Sequence, residues 1–255
     1  MTKSDMKRIS DDFATAVIKL KNAGFDAVEL HMGHGYLPSQ YLSPRTNKRK
    51  DHYGGTIASR ARFPLEVLNH IRDKAGSDFT VLIKINLSDG FRNGFNIEDC
   101  KNMAVELEKA ACSALILSGE FTSITPFYLM RGEVPLLGMV RNGTNLMEKA
   151  TMALWGPLII KRYRFEPNFF LEQAKEIRKV TKMPLVDLGG VTSREGISEI
   201  LDEGFDFIAL GRPLIHDPDF LKKLEANEIE KTDCNRYNEC IVEMDRGGVR
   251  CTIHD

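Results

Sequence analysis

The sequence has no hydrophobic run long enough to cross a membrane, almost no net charge, and no cysteine pattern typical of a disulfide framework. Its apolar stretches have the length of a strand, whereas a membrane-spanning helix needs about 20 apolar residues. The polar start, Met1 to Asp5, lacks the apolar core of a signal peptide. A formal net charge of −1 gives no electrostatic reason to expect nucleic-acid binding. These absences argue against a membrane protein, a secreted protein and a nucleic-acid-binding protein.

The five cysteines are an odd number in a chain of 255 residues. This count argues against a disulfide scaffold and for a reducing compartment, so we expect a cytoplasmic protein. Hydrophobic residues make up 42% of the chain and charged residues 28%. Such a composition suits a globular domain with a sizeable core.

Five strand-like segments alternate with helical patterns along the chain. Each is mostly apolar and is followed by or ends in glycine or polar residues: Asp26–His31, Phe79–Asn86, Ser113–Ser118, Met183–Leu188 and Phe205–Leu210. This alternation predicts a parallel β/α architecture. Residues 10–12 (Ser-Asp-Asp) are expected to cap the first helix. Residues 119–167 interrupt the alternation, and a short amphipathic helix predicted at residues 147–160 either caps a substrate or only covers the edge of the fold.

The first strand ends in a cluster of polar rings, His31, His34 and Tyr36, with glycines between them. A buried strand that ends in such a cluster directs several proton-handling groups to one place, as at the carboxyl ends of strands in α/β sites. An isolated pair of histidines at this spacing more often indicates an ordinary polar loop. No third ligand follows at a suitable spacing, so we predict that there is no metal site.

The last two strands are followed by two glycine turns, Gly189-Gly190 and Gly211-Arg212. Glycine lets backbone N–H groups approach an anion, and the following helix adds its dipole. The forked guanidinium of Arg212 suits phosphate, and the corresponding loops of (β/α) barrels commonly hold a phosphate group. The alternative is that the glycines serve only the geometry of two tight turns. The paired occurrence, together with Arg212, favours a phosphate site.

A long and ordered set of residues surrounds and follows the ring cluster. It comprises Glu29, His31, His34, Tyr36, Gln40, Ser43-Pro44, Asn47, Arg49, Asp51, Tyr53-Gly54-Gly55 and Arg60-Ala61-Arg62-Phe63. This set resembles the signature of the Old Yellow Enzyme family, and more closely its dienoyl-CoA-reductase-like branch. Ala58-Ser59 departs from the family, which usually has Glu-Asn before Arg60. The resemblance implies an FMN-dependent NAD(P)H oxidoreductase on a TIM barrel.

The resemblance also implies which part of the barrel is present. The five predicted strands correspond to strands 4–8 of a (β/α)8 barrel, so the expected fold is a partial TIM barrel. Five units leave two open sheet edges, which favours a fragment, a homo-oligomer or a complementing N-terminal fragment. Residues 1–226 would contain the five β/α units, and residues 227–255 would form a tail.

The resemblance assigns chemistry to individual residues. His31 and His34 would donate hydrogen bonds to the oxygen of an enone, enal or quinone, where negative charge develops as hydride arrives from reduced FMN. Tyr36 would donate a proton to the α-carbon. Lys84, a charge within an apolar strand, would lie beside the flavin N1–C2 carbonyl. The alternative for Lys84 is an ion pair inside the barrel, with Glu29 as its partner.

The tail contains Cys234, Cys240 and Cys251. Their spacing resembles a degenerate iron–sulfur motif, in which Tyr237 occupies the place of the second cysteine. Because a [4Fe–4S] cluster is held by four thiolates, we predict free thiols and no cluster.

Three functions are compatible with these residues. The first is an ene-reductase-type oxidoreductase that uses FMN and NAD(P)H. The second is a non-catalytic or fragmentary barrel that has lost flavin, which the missing units suggest. The third is a phosphate-binding barrel of lyase type, in which Lys84 would form a Schiff base.

Overall fold

The structure, a computed structural model, describes residues 1–253 except the side chain of Asp245. Within this range, five parallel strands form one sheet in chain order. The strands are β1 Ala27–His31, β2 Thr80–Ser88, β3 Ala114–Gly119, β4 Leu185–Leu188 and β5 Phe207–Ala209. The predicted parallel β/α architecture is therefore confirmed, with small differences at the strand ends.

Helices connect the strands, and several of them pack against the sheet. In chain order they are α1 Lys3–Asn22, α2 Leu37–Leu42, α3 Ile57–Arg60, α4 Arg62–Ala75, α5 Ile97–Lys109, α6 Leu136–Asn142, α7 Leu146–Ile159, α8 Leu171–Arg178, α9 Arg194–Asp202, α10 Arg212–His216, α11 Phe220–Glu225 and α12 Glu239–Glu243. None of the helices in the described range is both long and apolar enough to span a bilayer.

The two faces of the sheet differ in burial, and this difference positions the site. On β2, every second residue packs in the hydrophobic core and is fully buried: Val81, Ile83, Ile85 and Leu87. Burying one such side chain contributes about 1.5–3 kcal/mol. The residues between them, among them Lys84 and Asn86, point to the opposite face because side chains alternate along a strand. Polar side chains of the site are therefore gathered on that second face.

Helix α1 begins at Lys3, so the expected cap at residues 10–12 was wrong. Thr2 is the N-cap: its Oγ1 accepts from the Asp5 N–H at 3.1 Å, and the Asp5 carboxylate accepts from the Thr2 N–H at 2.8 Å. This reciprocal capping box satisfies two backbone donors at once. Ser10 lies inside the helix, where its hydroxyl donates to the Met6 carbonyl oxygen.

The interruption between β3 and β4 contains α6 and α7. Helix α7 confirms that a helix forms at the predicted position, but the predicted amphipathic character was wrong, because most of its apolar side chains are exposed and only Gly156 is buried. Asn145 caps α7 by accepting from the Glu148 N–H at 2.8 Å. The first residues of the interruption lie against the loop after β1, where the Thr122 N–H donates to the His34 carbonyl oxygen. Helix α6 is tied to the tail, because Asn142 Nδ2 donates to the Val242 carbonyl oxygen at 2.7 Å. The interruption thus connects the site to the C-terminal segment.

Candidate active site

His31 and His34 contact each other at the carboxyl end of β1. His31 Nε2 lies 3.2 Å from His34 Nδ1. The Gly33 N–H donates to His31 Nδ1 at 3.1 Å, so that nitrogen carries no proton when the ring is neutral. His31 then donates from Nε2 to His34 Nδ1, and His34 donates from Nε2 to Ser118 Oγ at 2.7 Å. One backbone donor therefore fixes the tautomers of both imidazoles.

Both imidazoles are uncharged near neutral pH. Burial, followed by the proximity of His31 and Lys84, lowers the pKa of His34 to about 3. Burial and then Lys84 lower the pKa of His31, while Glu29 acts in the opposite direction. Neutral imidazoles still donate hydrogen bonds, so the pair can stabilise a developing negative charge on a substrate oxygen without itself changing protonation.

Asn86 of β2 holds the loop that carries the histidines. Its Oδ1 accepts from the His34 N–H at 3.1 Å, and its Nδ2 donates to Asp89 Oδ1 and to the Glu120 carbonyl oxygen. A Cβ at Gly33 would approach Asn86 Oδ1 to 2.7 Å, so the close contact requires glycine. Because this buried amide is hydrogen-bonded on both its oxygen and its nitrogen, it holds the loop in a defined conformation.

Tyr36 completes the cluster on its solvent side. Its ring centroid lies 5.0 Å from that of His31 in an edge-to-face arrangement, and the residue is 56% exposed. The exposed ring leaves the phenol accessible to a small molecule that contacts His31. The structure therefore brings together all three ring residues that the sequence singled out.

Lys84 forms an ion pair with Glu29, with Lys84 Nζ 2.8 Å from Glu29 Oε1. This contact is the alternative that the sequence left open for Lys84. Both side chains are partly exposed, at 24% and 34%. Lys84 is also the register partner of His31 on the neighbouring strand. It therefore lies between the ring cluster and the glycine turns.

A cavity of about 360 Å³ borders Lys84 at this edge of the sheet. It is lined by both glycine turns and by three cationic side chains: Gly189, Gly190, Gly211, Arg212, Lys84 and Arg236. No carboxylate of residues 1–253 lines it, and most of the other lining residues are apolar. Ligand sites of this size combine an apolar wall with a few placed polar groups. The cavity suits a ligand with an apolar body and an anionic group.

The two glycine turns differ in their surroundings. A Cβ at Gly189 would approach the Phe170 ring to 2.7 Å, and a Cβ at Gly190 would approach the Glu166 carbonyl oxygen to 2.7 Å. Both glycines also have positive φ, so the first turn needs glycine for its geometry, as the alternative explanation holds. A Cβ at Gly211 would meet nothing within 4 Å. The second turn is therefore open beside the cavity.

The guanidinium of Arg212 is partly occupied by the protein. Its Nη1 donates to the Arg131 carbonyl oxygen at 2.9 Å and to Asn238 Oδ1 at 2.7 Å. Within residues 1–253, neither Nε nor Nη2 has a hydrogen-bond acceptor. Residues of the interruption and the tail thus hold Arg212 in place. Its Nε and Nη2 groups remain as donors for an anion. This donor set, in a cavity without carboxylates, fits the phosphate and ring of FMN.

Glu120 is a buried acid near the cluster that the sequence analysis missed. It follows β3 directly, and its carboxylate accepts from the Thr122 hydroxyl at 3.2 Å and the Leu129 N–H at 3.4 Å. Burial raises the pKa of Glu120 to about 7. Such a pKa is typical of groups that exchange protons at functional sites. A charged residue directly after a mostly apolar strand was the available signal.

Comparison with known sequences identifies related proteins. Residues 1–122 match the family described as NADH:flavin oxidoreductase / NADH oxidase. A 4,4'-dithiodibutanoate disulfide reductase from Rhodococcus erythropolis is 36% identical over 255 residues, which is 100% of this chain and 63% of that protein. The chain thus spans less than two thirds of the length of this curated relative.

Comparison with solved structures identifies the same architecture. A 2-naphthoyl-CoA reductase complex superposes with a TM-score of 0.79 at 23% identity, over 100% of this chain and 34% of the other. Morphinone reductase superposes with a TM-score of 0.63 at 25% identity, over 93% of this chain and 54% of the other. These similarities confirm the predicted partial (β/α) barrel.

Proposed function

Because the chain belongs to the NADH:flavin oxidoreductase / NADH oxidase family, we propose that it contains the catalytic residues of an FMN-dependent NAD(P)H oxidoreductase. One observation carries this proposal: the ring cluster and the cation-lined cavity lie at the same edge of the sheet. His31 and Lys84 are register partners, and Lys84 lines the cavity. A ligand in the cavity is therefore adjacent to the rings that would bind the substrate.

Residues of the two glycine turns would hold the cofactor. Bound FMN would supply the hydride that reduces the substrate, after NAD(P)H has reduced the flavin. Gly189, Gly190 and Gly211 would present backbone N–H groups to its phosphate, and Arg212 would add Nε and Nη2 as donors. Lys84 would lie beside the flavin ring system. It would either keep its ion pair with Glu29 or give it up for this contact. The cationic lining of the cavity supports this assignment.

His31 and His34 would bind the oxygen of the substrate. A carbonyl oxygen that enters the cluster would take the place of His34 Nδ1 as acceptor for His31 Nε2–H, and the place of Ser118 Oγ as acceptor for His34 Nε2–H. Two donors directed at an oxygen stabilise the negative charge that develops on it. The depressed pKa of each ring keeps both in the neutral donor form.

Tyr36 would complete the reduction by protonating the α-carbon. A phenol has a reference pKa of about 10 and is therefore protonated at neutral pH. The exposed position of its ring beside His31 supports this role. The substrates that need both an oxygen site and a carbon acid are enones and enals, while a quinone needs the oxygen site.

A second substrate class has support from the comparisons. The relative that is 36% identical over 255 residues reduces the disulfide 4,4'-dithiodibutanoate. An organic disulfide needs the same two electrons but has no carbonyl oxygen and no α-carbon to protonate. We therefore expect disulfide reduction by this chain to be less sensitive than enone reduction to changes at Tyr36.

The sheet edges at β1 and β5 would be completed by a second copy of the chain or by an N-terminal fragment. In this proposal residues 1–226 supply the five β/α units and residues 227–255 form the tail. We propose that the protein is cytoplasmic.

The lyase-type alternative requires a neutral, nucleophilic Lys84. An ammonium held 2.8 Å from the Glu29 carboxylate does not favour that chemistry.

The proposed function is tested by following NAD(P)H oxidation with an enone, a quinone and 4,4'-dithiodibutanoate, each with added FMN. We expect NAD(P)H oxidation that depends on both FMN and acceptor, and loss of at least tenfold of the enone rate in His31→Ala. A matched control is His52→Ala, since this histidine is exposed and lies outside the cluster. FMN-independent oxidation, or equal rates in the two variants, would contradict the proposal.

A further inference from the structure

A second cavity, of about 400 Å³, lies beside the first and collects three cysteines of the tail. Cys234, Cys240 and Cys251 all line it, and none of them is in a disulfide. Cys234 and Cys240 also line the first cavity. The two cavities therefore share a wall that contains thiols and the half-buried Arg212.

The tail is held in a defined position at this wall. Asn238 lies between the first two of these cysteines in sequence and has a left-handed backbone, with φ of 62°. Its Nδ2 donates to the carbonyl oxygens of Met130 and Glu133, both at 2.8 Å, and its Oδ1 accepts from Arg212. Two hydrogen bonds of this buried amide thus fix the segment between Cys234 and Cys240 against the interruption, and a third fixes it to Arg212.

The surroundings of Cys251 favour its reaction with a disulfide. Cys251 Sγ lies 3.3 Å from His216 Nδ1, a pairing in which an imidazole can accept the thiol proton. Cys240 is close enough to Cys234 and Cys251 for their charges to raise its pKa, after the larger effect of burial and against the effect of Arg212. All three are partly exposed.

The two remaining cysteines provide a contrast within the same chain. Cys100 and Cys112 are buried, and burial raises the pKa of Cys112 to about 11. Burial raises the pKa of Cys100 as well. Thiols of this kind are unreactive because the thiolate is the nucleophile. The reactive thiols are therefore expected only at the cavity.

We propose that the second cavity is a thiol–disulfide exchange site for small anionic disulfides, with Cys251 as the attacking thiol and Cys240 as the resolving thiol. Cys251 gives its proton to His216 and attacks one sulfur of the ligand, which forms a mixed disulfide and releases one thiolate that takes up a proton. Cys240 then attacks Cys251 Sγ, which releases the second thiol and leaves a Cys240–Cys251 disulfide. The ligand is reduced by two electrons, and the protein thiols are oxidised by two.

The choice of an anionic disulfide follows from the charges at the wall. Arg212 and Arg236 line both cavities, whereas Glu239 lines only the second.

The return of the protein disulfide to two thiols needs two electrons and two protons. This step alone rests on the proposed NAD(P)H-dependent function; the exchange itself needs only the chain and the disulfide.

The test uses the purified chain, reduced and then freed of reductant, without FMN or NAD(P)H. Dithiobis(nitrobenzoate), an anionic disulfide whose released thiolate absorbs visible light, is added to the wild type and to Cys251→Ser, Cys240→Ser and Cys100→Ser. Thiolate release is followed by absorbance, and the products are identified by intact mass and peptide mapping. Iron is measured on protein that is purified anaerobically.

We expect the wild type to release two thiolates rapidly and to lose two hydrogens in mass, with Cys240 and Cys251 joined. Cys240→Ser should stop at the mixed disulfide on Cys251, Cys251→Ser should lose the rapid phase, and Cys100→Ser should behave as the wild type. Equal rapid release by Cys251→Ser would overturn the proposal. About four irons per chain would also overturn it, since the thiols would then be cluster ligands. Failure of FMN binding or NAD(P)H oxidation would leave these results unchanged and would count only against the proposed function.

Discussion

His31 and Lys84 are register partners on the neighbouring strands β1 and β2. Through this one pair, the ring cluster after β1 is joined to the cavity between the two glycine turns. His31 contacts His34 and Tyr36, whereas Lys84 contacts Glu29 and lines the cavity. The proposed chemistry depends on this adjacency, because a hydride donor and the group that receives the hydride must be neighbours.

The first prediction concerns Tyr36→Phe, which removes only the phenol hydroxyl. We expect the rate of enone reduction to fall by roughly 10²-fold, since general acid catalysis typically contributes 10²–10⁴-fold. Reduction of a quinone should change little, because its oxygens can be protonated by solvent. The rates with the two acceptors are compared in one preparation. An equal fall with both acceptors would mean that Tyr36 supports the site rather than donating the proton.

The second prediction concerns the protonation of the histidine pair. Nitrogen chemical shifts from NMR should show both His31 and His34 as neutral rings with the proton on Nε2. His34 should not titrate between about pH 5 and pH 8, because its pKa is lowered to about 3. Ser118→Ala should shift the His34 Nε2 signal, since it removes the acceptor at 2.7 Å. A proton on His31 Nδ1 would contradict the hydrogen bond from Gly33.

The third prediction concerns Asp187, a fully buried acid on β4. Neither of its carboxylate oxygens has a hydrogen-bond partner within the described residues, and burial raises its pKa to about 7. The folded chain therefore binds this proton more tightly than the unfolded chain, so this group makes stability fall as the pH rises from about 4 to about 7.

Asp187→Asn should remove that part of the pH dependence. Urea unfolding at pH 5 and at pH 7.5 is expected to show a loss of stability for the wild type that exceeds the loss for the variant by on the order of 2 kcal/mol. Exposed Asp73→Asn is the control and should follow the wild type. If Asp187→Asn loses as much stability as the wild type, the carboxylate is not protonated in the folded state.

The strands could be predicted because their signal is local. Apolar runs that end in glycine or polar residues determined all five strands, and parallel order follows from the helices between them. The predicted start of α1 was wrong because two nearby segments contain residues that can cap a helix. In the structure, the reciprocal hydrogen bonds between Thr2 and Asp5 form the cap. Both contacts are local, but the sequence does not show which cap gains more hydrogen bonds.

The site was only partly predictable, because several of its contacts join distant parts of the chain. The ring cluster is contiguous, so its members were found together. Arg212, by contrast, donates to Arg131 in the interruption and Asn238 in the tail. Glu120 gains its raised pKa from burial, which depends on how residues 120–129 fold back. The contacts of Arg212 have no signature in the adjacent sequence, and the position of Glu120 directly after a mostly apolar strand does not show how deeply its carboxylate is buried.

The central claim is that the cavity beside Lys84 holds FMN, and a titration of the purified chain with FMN tests it most directly. Flavin fluorescence and visible absorbance should report saturable binding of one FMN per chain. Lys84→Met should weaken binding about tenfold or more, whereas Glu29→Gln, which breaks the same ion pair but keeps the cation, should not. Unchanged flavin spectra with the wild type, or equal weakening by the two substitutions, would contradict the account.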